Sequence, residues 1–295
     1  MKRKNMTINL FIHLFFVVVC LAFVIPMLYV VSVSFMTQAE IDATGYQLIP
    51  KEFSLEAYQY VFRNPTQLLD SYQVTIFTSL VGTFLSVLVM AMVAYPLSRS
   101  TFYYKKPVTY YIFFTMLFSG GLIPSYIINT QYLHLGNNIL IYILPSLVSA
   151  YNVIIIRTFF QGLPTSLVES AKLDGASEVR IFTSIILPLS KPVIATIALM
   201  TLLAKWNDWN TSLIYIRNEK LFSLQYMLQK ILREVEFLKS MADSQLGLNI
   251  TLENAVPTEP ARFAMVIMAA GPMLVIFPFF QKYFTRGLTI GAVKG

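Results

Sequence analysis

The chain has 295 residues, of which 56% are hydrophobic and 13% are charged, and its mean hydropathy is +0.62. Soluble domains carry about 25% charged residues, so the composition excludes an ordinary soluble protein and indicates an integral membrane protein. The net charge of +7 does not indicate nucleic-acid binding, because the basic residues are scattered without a basic and aromatic surface. The only cysteine, Cys20, excludes an internal disulfide and a zinc site.

Charge-free stretches predict where the chain crosses the membrane, since a span needs about twenty apolar residues and a central charge costs several kcal/mol. The stretches 4–40, 70–99 and 262–282 each hold one helix. The stretch 106–157 is long enough for two helices, joined by a polar turn at 132–138.

A further span follows Pro192, but its apolar run reaches only Leu203 before Lys205. This span must carry Lys205 and Asp208 at its far end, or be tilted or irregular there. We therefore predict an all-α integral membrane protein with six transmembrane helices.

The distribution of lysine and arginine predicts the orientation, because positive residues accumulate on the cytoplasmic side. With the amino terminus inside, thirteen basic and three acidic residues lie inside, against eight basic and twelve acidic residues outside. Both termini and the segment 163–188 are then cytoplasmic.

Two short helices are predicted in this inner segment. Ser166 and Glu169 have the spacing of a capping box, and Gly175 can end a helix in the left-handed conformation, so a helix should run over 165–174. A second helix should follow, with an apolar stripe closed by Leu187-Pro188. The residues of this stripe are Val179, Ile181, Phe182, Ile185 and Ile186.

The same segment resembles the cytoplasmic loop of permease subunits in ATP-binding-cassette importers, which reads Glu-Ala-Ala, three residues, Gly, nine residues, Ile, one residue, Leu-Pro. Only Ser170 departs from that pattern. The resemblance implies a coupling helix that fits a cleft on an ATPase subunit. The coupling residues by this resemblance are Glu169, Ser170, Ala171, Asp174, Gly175, Ile185, Leu187 and Pro188.

The resemblance continues through most of the chain from about residue 70, including the segments 118–124, 157–160, 206–209 and 224–226. It is closest to the second permease of maltose-type carbohydrate importers, in the branch that handles oligosaccharides, including uronate-containing ones. By the same resemblance, the tail residues Gly291, Lys294 and Gly295 reach toward the ATPase subunits.

The implied assembly contains a second homologous permease, two ATPase subunits and an extracellular or periplasmic solute-binding protein. It lies in the bilayer of the bacterial cytoplasmic membrane as a multi-pass protein and takes a carbohydrate substrate. ATP and magnesium belong to the partner subunits, because the chain has no phosphate-binding glycine loop. We expect no catalytic residue, bound cofactor or metal in this chain.

Candidates for lining the pathway are the polar and aromatic residues near the fourth and fifth spans. Amides and aromatic faces suit sugar hydroxyls and rings, although an interfacial tryptophan belt and helix–helix hydrogen bonds are competing interpretations. Lys205 and Asp208, three residues apart, could face each other on a helix. The candidates are Tyr151, Asn152, Trp206, Asn207, Asp208 and Trp209.

The predicted organisation is a first helix with an outer segment over 1–70, a permease core over 71–283 and a cytoplasmic tail over 284–295. The core includes an outer loop at 210–262. Two alternatives stay open: a permease of the same importer class for a non-sugar solute, and an ion-coupled secondary carrier. The carrier is disfavoured because the predicted spans contain no carboxylate of the kind that couples ions.

Overall fold

The computed structural model describes residues 2–243 and 258–291, and this part of the chain is helical without any β-strand. The chain divides into two compact units. The first unit is formed by Met1–Pro65 with Leu228–Pro272, and the second by Thr66–Met227 with Met273–Gly295. The helices are α1 Lys2–Val33, α2 Gln38–Thr44, α3 Glu56–Val61, α4 Pro65–Ser98, α5 Lys105–Leu117, α6 Leu122–Ile127, α7 Ala150–Gln161, α8 Thr165–Leu173, α9 Glu178–Ile181, α10 Leu187–Leu189, α11 Lys191–Trp206, α12 Asn210–Tyr215, α13 Leu224–Asp243 and α14 Thr258–Gly291.

Three helices in the described part are long and apolar enough to cross a membrane, over Asn9–Val33, Pro65–Ser98 and Glu259–Phe279. Two bent helix pairs raise this number to five if each pair is one span. Helix α7, at 12 residues, is only about 18 Å long and falls short of a membrane core about 30 Å thick. The count of six spans stays a prediction.

The predicted third span is a broken helix instead of a continuous one. Helix α5 and the segment Leu122–Tyr132 meet at 112°. The break lies at Gly120-Gly121, where Gly121 has a φ of +85° that residues with a side chain rarely adopt. Composition could predict an apolar span here, but not its bend.

In the first unit, the chain after α1 packs against the short helix α3. Ser34 Oγ lies 3.0 Å from Tyr58 Oη, and the ring of Phe35 stacks on Phe53 at 4.6 Å. The spacing of Leu55, Tyr58, Val61 and Phe62 predicts a short amphipathic piece over 54–62, and α3 lies within it. Gly247, Pro257 and Pro260 predict that 243–260 is not one continuous helix. Pro260 nevertheless lies in the first turn of α14, where a missing N–H costs nothing. Residues 244–257 lie outside the described part.

The second unit is built on α4, and the buried face of this helix carries small polar residues. Such residues allow close helix packing within a membrane. Toward its end, α4 joins α7, the 163–188 segment and α11 in one apolar cluster, which we call the central cluster. Its buried members are Met90, Ala91, Ala94, Leu97, Val153, Ile156, Phe160, Val168, Ala171, Ile181, Phe182, Ile186, Val193 and Ile197.

Candidate coupling loop and translocation cavity

The segment 163–188 forms a helix, a glycine bend and a second helix. Gly175 has a φ of +75°, and Ala176 N donates to Ala171 O at 2.9 Å across it. This hydrogen bond closes a turn of six residues and satisfies a carbonyl that the end of α8 would otherwise leave free. The predicted helix over 165–174 and its glycine end are confirmed by α8 and this bend.

The predicted capping box is wrong. Pro164 is the residue that precedes α8, so Ser166 lies inside the helix and no side chain caps its first turn. The fixed φ of proline, here −56°, already suits the start of a helix, so the helix begins before Ser166. A side-chain cap is found at the next helix, where Ser177 Oγ accepts from Arg180 N at 3.4 Å.

One face of the bend packs into the central cluster. Val168 and Ala171 from α8 are buried there with Ile181 and Phe182. Ile185 and Leu187 pack against the same cluster and are partly buried. Three of the coupling residues named by resemblance, Ala171, Ile185 and Leu187, are thus packing residues that hold the bend to α4 and α7.

The opposite face of the bend is exposed. Glu169, Ser170, Asp174 and Gly175 lie there, and Pro188 is also exposed. Two apolar side chains, one before and one after the bend, are exposed on the same face. Leu173 is 89% exposed and Val179 is 72% exposed. The spacing of Val179 predicted that it belongs to the apolar stripe, but Val179 is not buried with the other members. It lies in the first turn of α9, on the face opposite Ile181.

Glu178 ties the bend to α4. One of its carboxylate oxygens lies 2.6 Å from Lys172 Nζ, and the other accepts from Tyr95 Oη at 2.6 Å. Lys172 and then Tyr95 lower the pKa of the Glu178 carboxyl below its usual value. Arg99 lies over the ring of Tyr95 at 4.6 Å. The bridge thus joins α8, α9 and the end of α4.

An irregular helix connects the bend to α11. The segment Phe182–Ile186 is a π-helix in which Leu187 N donates to Phe182 O, five residues back. Pro188 follows at once and has no N–H to continue a regular ladder. Glu178–Leu189 then meets Lys191–Trp206 at 80°. The irregularity therefore lies before α11, whereas the sequence predicted it, as one of two alternatives, at the far end of the fifth span.

A cavity of about 430 Å³ lies in the second unit between α4, α7 and α11. Two of the predicted pathway residues, Asn152 and Asp208, line it. Its other lining residues are Met90, Ser146, Ser149, Met200, Thr201, Ala204 and Lys205. The volume falls within the about 300–1,000 Å³ of small-molecule sites.

Lys205 lies at the cavity wall in the last turn of α11. Its ammonium donates to Tyr142 O at 3.1 Å and to Ser146 Oγ at 2.7 Å. Its stem passes against α4 at Gly82, where a Cβ would come within 2.9 Å of Lys205 Cδ and Cε. Gly82 therefore makes the space through which this lysine reaches the chain segment before α7.

Lys205 and Asp208 do not form the facing pair that their spacing suggested. Helix α11 ends at Trp206, so Asp208 lies beyond the helical register. Its Oδ1 accepts from Thr211 N at 3.0 Å instead. Each charged group thus has its own neutral partners.

The remaining pathway candidates do not line the cavity. Trp206 is 2% exposed and Tyr151 is 55% exposed. Asn207 is exposed and donates to Leu203 O at 2.9 Å, while Trp209 is half-buried just before α12. These side chains share a stretch of sequence, but helical rotation and the end of α11 send them to different surroundings.

Sequence reasoning missed six cavity residues, namely Met90, Ser146, Ser149, Met200, Thr201 and Ala204. No local signal separates them from other small or apolar residues of membrane helices. Thr201 lies one turn of α11 before Lys205, and this spacing is the one signal that could have placed it on the same face.

The tail lies at the edge of the described part. Gly291 is the last residue of α14, and Lys294 and Gly295 lie outside the described residues. The described residues include no cluster of three His, Cys, Asp or Glu that could hold a metal ion.

Comparison with known proteins identifies the family of this helical architecture. The family described as "Binding-protein-dependent transport system inner membrane component" matches residues 2–290. The chain belongs to this family. It is therefore a multi-pass inner-membrane permease and not an enzyme, and its class works with ATPase and solute-binding partners.

The permease is similar to curated proteins of Bacillus subtilis over nearly its whole length. It is 41% identical to Protein LplC, covering 92% of this chain and 90% of that protein. It is 35% identical to the polygalacturonan/rhamnogalacturonan transport system permease protein YtcP, covering 99% and 100%.

A solved structure is also similar to the permease. It belongs to a bacterial ABC transporter involved in the import of the acidic polysaccharide alginate. The TM-score is 0.79 at 26% identity, covering 96% of this chain and 98% of the other.

Proposed function

We propose that this permease is one of two homologous membrane subunits of an ATP-driven importer for oligosaccharides, including uronate-containing ones. It crosses the bacterial cytoplasmic membrane six times with both termini inside. Two ATPase subunits bind ATP and magnesium on the inner side, and a solute-binding protein delivers the carbohydrate outside. The names of the relatives that move polygalacturonan and alginate support this substrate class.

The observation that carries the proposal is the two-faced bend around Gly175. One face of the bend is packed into the central cluster, while the exposed face presents Leu173 and Val179 beside small and acidic side chains. An isolated membrane protein gains nothing from holding large apolar side chains in water at a bend. An ATPase cleft that covers Leu173 and Val179 accounts for their exposure.

The bend can also act as a lever. A movement of α8 and α9 reaches α4 through the packed side chains and through Glu178. It reaches α11 through the short helix at Leu187–Leu189. Closure of the ATPase dimer would thus change the packing around the cavity and open it toward the binding protein, and hydrolysis would reset it.

The test replaces Gly175 by tryptophan in the assembled importer. A side chain at φ +75° strains the bend, and the indole would also fill the docking face. Gly175→Trp should insert normally in the membrane, lose its ATPase subunits on purification and abolish ATP-driven uptake.

Gly45→Trp is the matched control. Gly45 has a φ of +73° and no atom within 4 Å of a built Cβ, as Gly175 has, but it belongs to the first unit, whereas the bend belongs to the second. Normal assembly and uptake by Gly175→Trp, or an equal loss with both variants, would contradict the proposed docking role.

A further inference from the structure

The cavity beside Lys205 has a mainly apolar lining, and neither the fold nor the bend explains the few polar groups in it. Lys205 is its only basic lining residue and Asp208 its only acidic one among the described residues. A charge within a membrane span is costly and is therefore a functional-site hypothesis by default. The chemistry of these two groups indicates the ligand.

The ammonium of Lys205 keeps a donor free for a ligand. An ammonium has three N–H donors, and two of them are used by Tyr142 O and Ser146 Oγ. Both partners are neutral, and no described carboxylate lies within 4.0 Å of the nitrogen. The lysine is therefore held in place without an ion pair within 4.0 Å, although Asp208 is close enough to act on its charge.

The other polar groups are suited to hydroxyls. Asp208 uses Oδ1 for one backbone N–H and keeps further acceptor capacity. The amide of Asn152 has no partner among the described residues, so it is available to a hydroxyl group of a ligand. Met90 and Met200 add apolar wall that can adapt to a ring.

We propose that this cavity binds one acidic sugar residue of the transported oligosaccharide, with the Lys205 ammonium binding its carboxylate and Asp208 and Asn152 binding its hydroxyls. A simple anion would leave these hydroxyl-binding groups unused. A neutral sugar would leave the remaining N–H donor of the ammonium without a charged acceptor. The inference rests on the proposed importer function and adds to it that this permease, by itself, selects for acidic sugar.

The experiment measures equilibrium binding of two probes to the intact importer in nanodiscs, without the solute-binding protein. The probes are trigalacturonate and its fully methyl-esterified form, which has similar size and hydroxyls but no charge. The wild-type complex should bind the acid at least about tenfold more tightly, because a hydrogen bond between two charged groups is lost in the ester.

Lys205→Met should remove this preference. We expect the Kd of the acid to rise at least about tenfold, and the Kd of the ester to change by less than about twofold. Lys191→Met is the matched control, because Lys191 is an exposed lysine at the other end of α11 and does not line the cavity. It should leave both constants unchanged.

Gly82→Ala tests the same site without removing the charge. The new methyl group would press on the lysine stem and displace the ammonium. We expect a smaller loss of acid binding, about three- to fivefold, with the ester again little affected. Co-purified ATPase subunits report that each variant is assembled.

Three results would overturn the inference. The first is a wild-type complex that binds the acid and the ester equally or binds neither. The second is an equal loss of affinity for both probes in Lys205→Met, and the third is unchanged acid binding in that variant. An equal loss would mean that Lys205 only braces the segment before α7. If ATP-driven oligosaccharide uptake is intact while any of these is observed, the selective cavity fails and the proposed function stands.

Discussion

The bend around Gly175 and the cavity around Lys205 lie toward the two ends of the same stretch of chain, yet they are held in different ways. The bend is closed by a hydrogen bond between residues five apart. The cavity wall is held by a bond from Lys205 to Tyr142, 63 residues away. Helix α11 joins them, with 16 residues and thus about 24 Å of length.

This difference separates the two tasks of a driven transporter. A locally closed bend keeps its shape while it is pushed, so it can transmit a force. A cavity closed by contacts between distant segments changes whenever those segments move, so it can open and close. The central cluster joins the two regions, because Met90 lines the cavity and packs with the residues under the bend.

The largest effect should come from breaking the central cluster that the two regions share. Phe160 on α7 is 1% exposed there, so Phe160→Ala leaves a cavity and should lower the free energy of unfolding by about 3–5 kcal/mol. Thermal unfolding of the purified complex measures it, together with sugar binding and ATPase retention, both of which should fall. Phe84→Ala, at a 67% exposed phenylalanine of α4, is the control. Loss of only one function would show that the cluster does not couple them.

A more selective change is expected at the exposed face of the bend. Leu173→Asp puts a charge where an apolar side chain should enter the ATPase cleft. Affinity for the ATPase subunit should fall by about 2 kcal/mol, or about 30-fold, while sugar binding is unchanged. Leu48→Asp, at another exposed leucine in the first unit, should have no effect. An unchanged affinity would remove Leu173 from the docking surface.

The converse change affects the cavity and spares the bend. The hydroxyl of Tyr142 contacts Ser212 Oγ at 2.5 Å and donates to Leu221 O at 2.8 Å. Tyr142→Phe leaves these groups without that partner and should cost about 1–2 kcal/mol, weakening sugar binding but not ATPase binding. Tyr126→Phe is the control, since its ring stacks on Tyr215 and its hydroxyl has no described partner. Weaker ATPase binding by Tyr142→Phe would argue against separate regions.

The smallest effect is expected where the bend meets α4. Lys172 and Glu178 are about half exposed, so their pair should be worth less than about 1 kcal/mol. Glu178→Gln should therefore leave assembly intact and lower the number of sugars moved per ATP, and Tyr95→Phe should do the same. Glu56→Gln changes an exposed acid of the first unit and serves as control. An unaltered ratio in both test variants would mean that packing alone transmits the movement.

The sequence alone determined the features that depend on local chemistry. Charge-free runs predicted helices that the structure confirms over Asn9–Val33, Pro65–Ser98 and Glu259–Phe279. Gly175 marked the end of α8, because only glycine adopts its backbone conformation without strain. The family was also readable, since its loop pattern consists of fixed spacings along the chain.

Tertiary structure decided everything that depends on which segments meet. Spacing placed Val179 in the buried stripe and paired Lys205 with Asp208, and both predictions failed because packing and the end of α11 set the actual neighbours. Ser146 and Gly82 carry no sequence signal for a cavity. Their role arises only when α4 and the segment before α7 meet Lys205, contacts over 59 and more residues that no local pattern encodes.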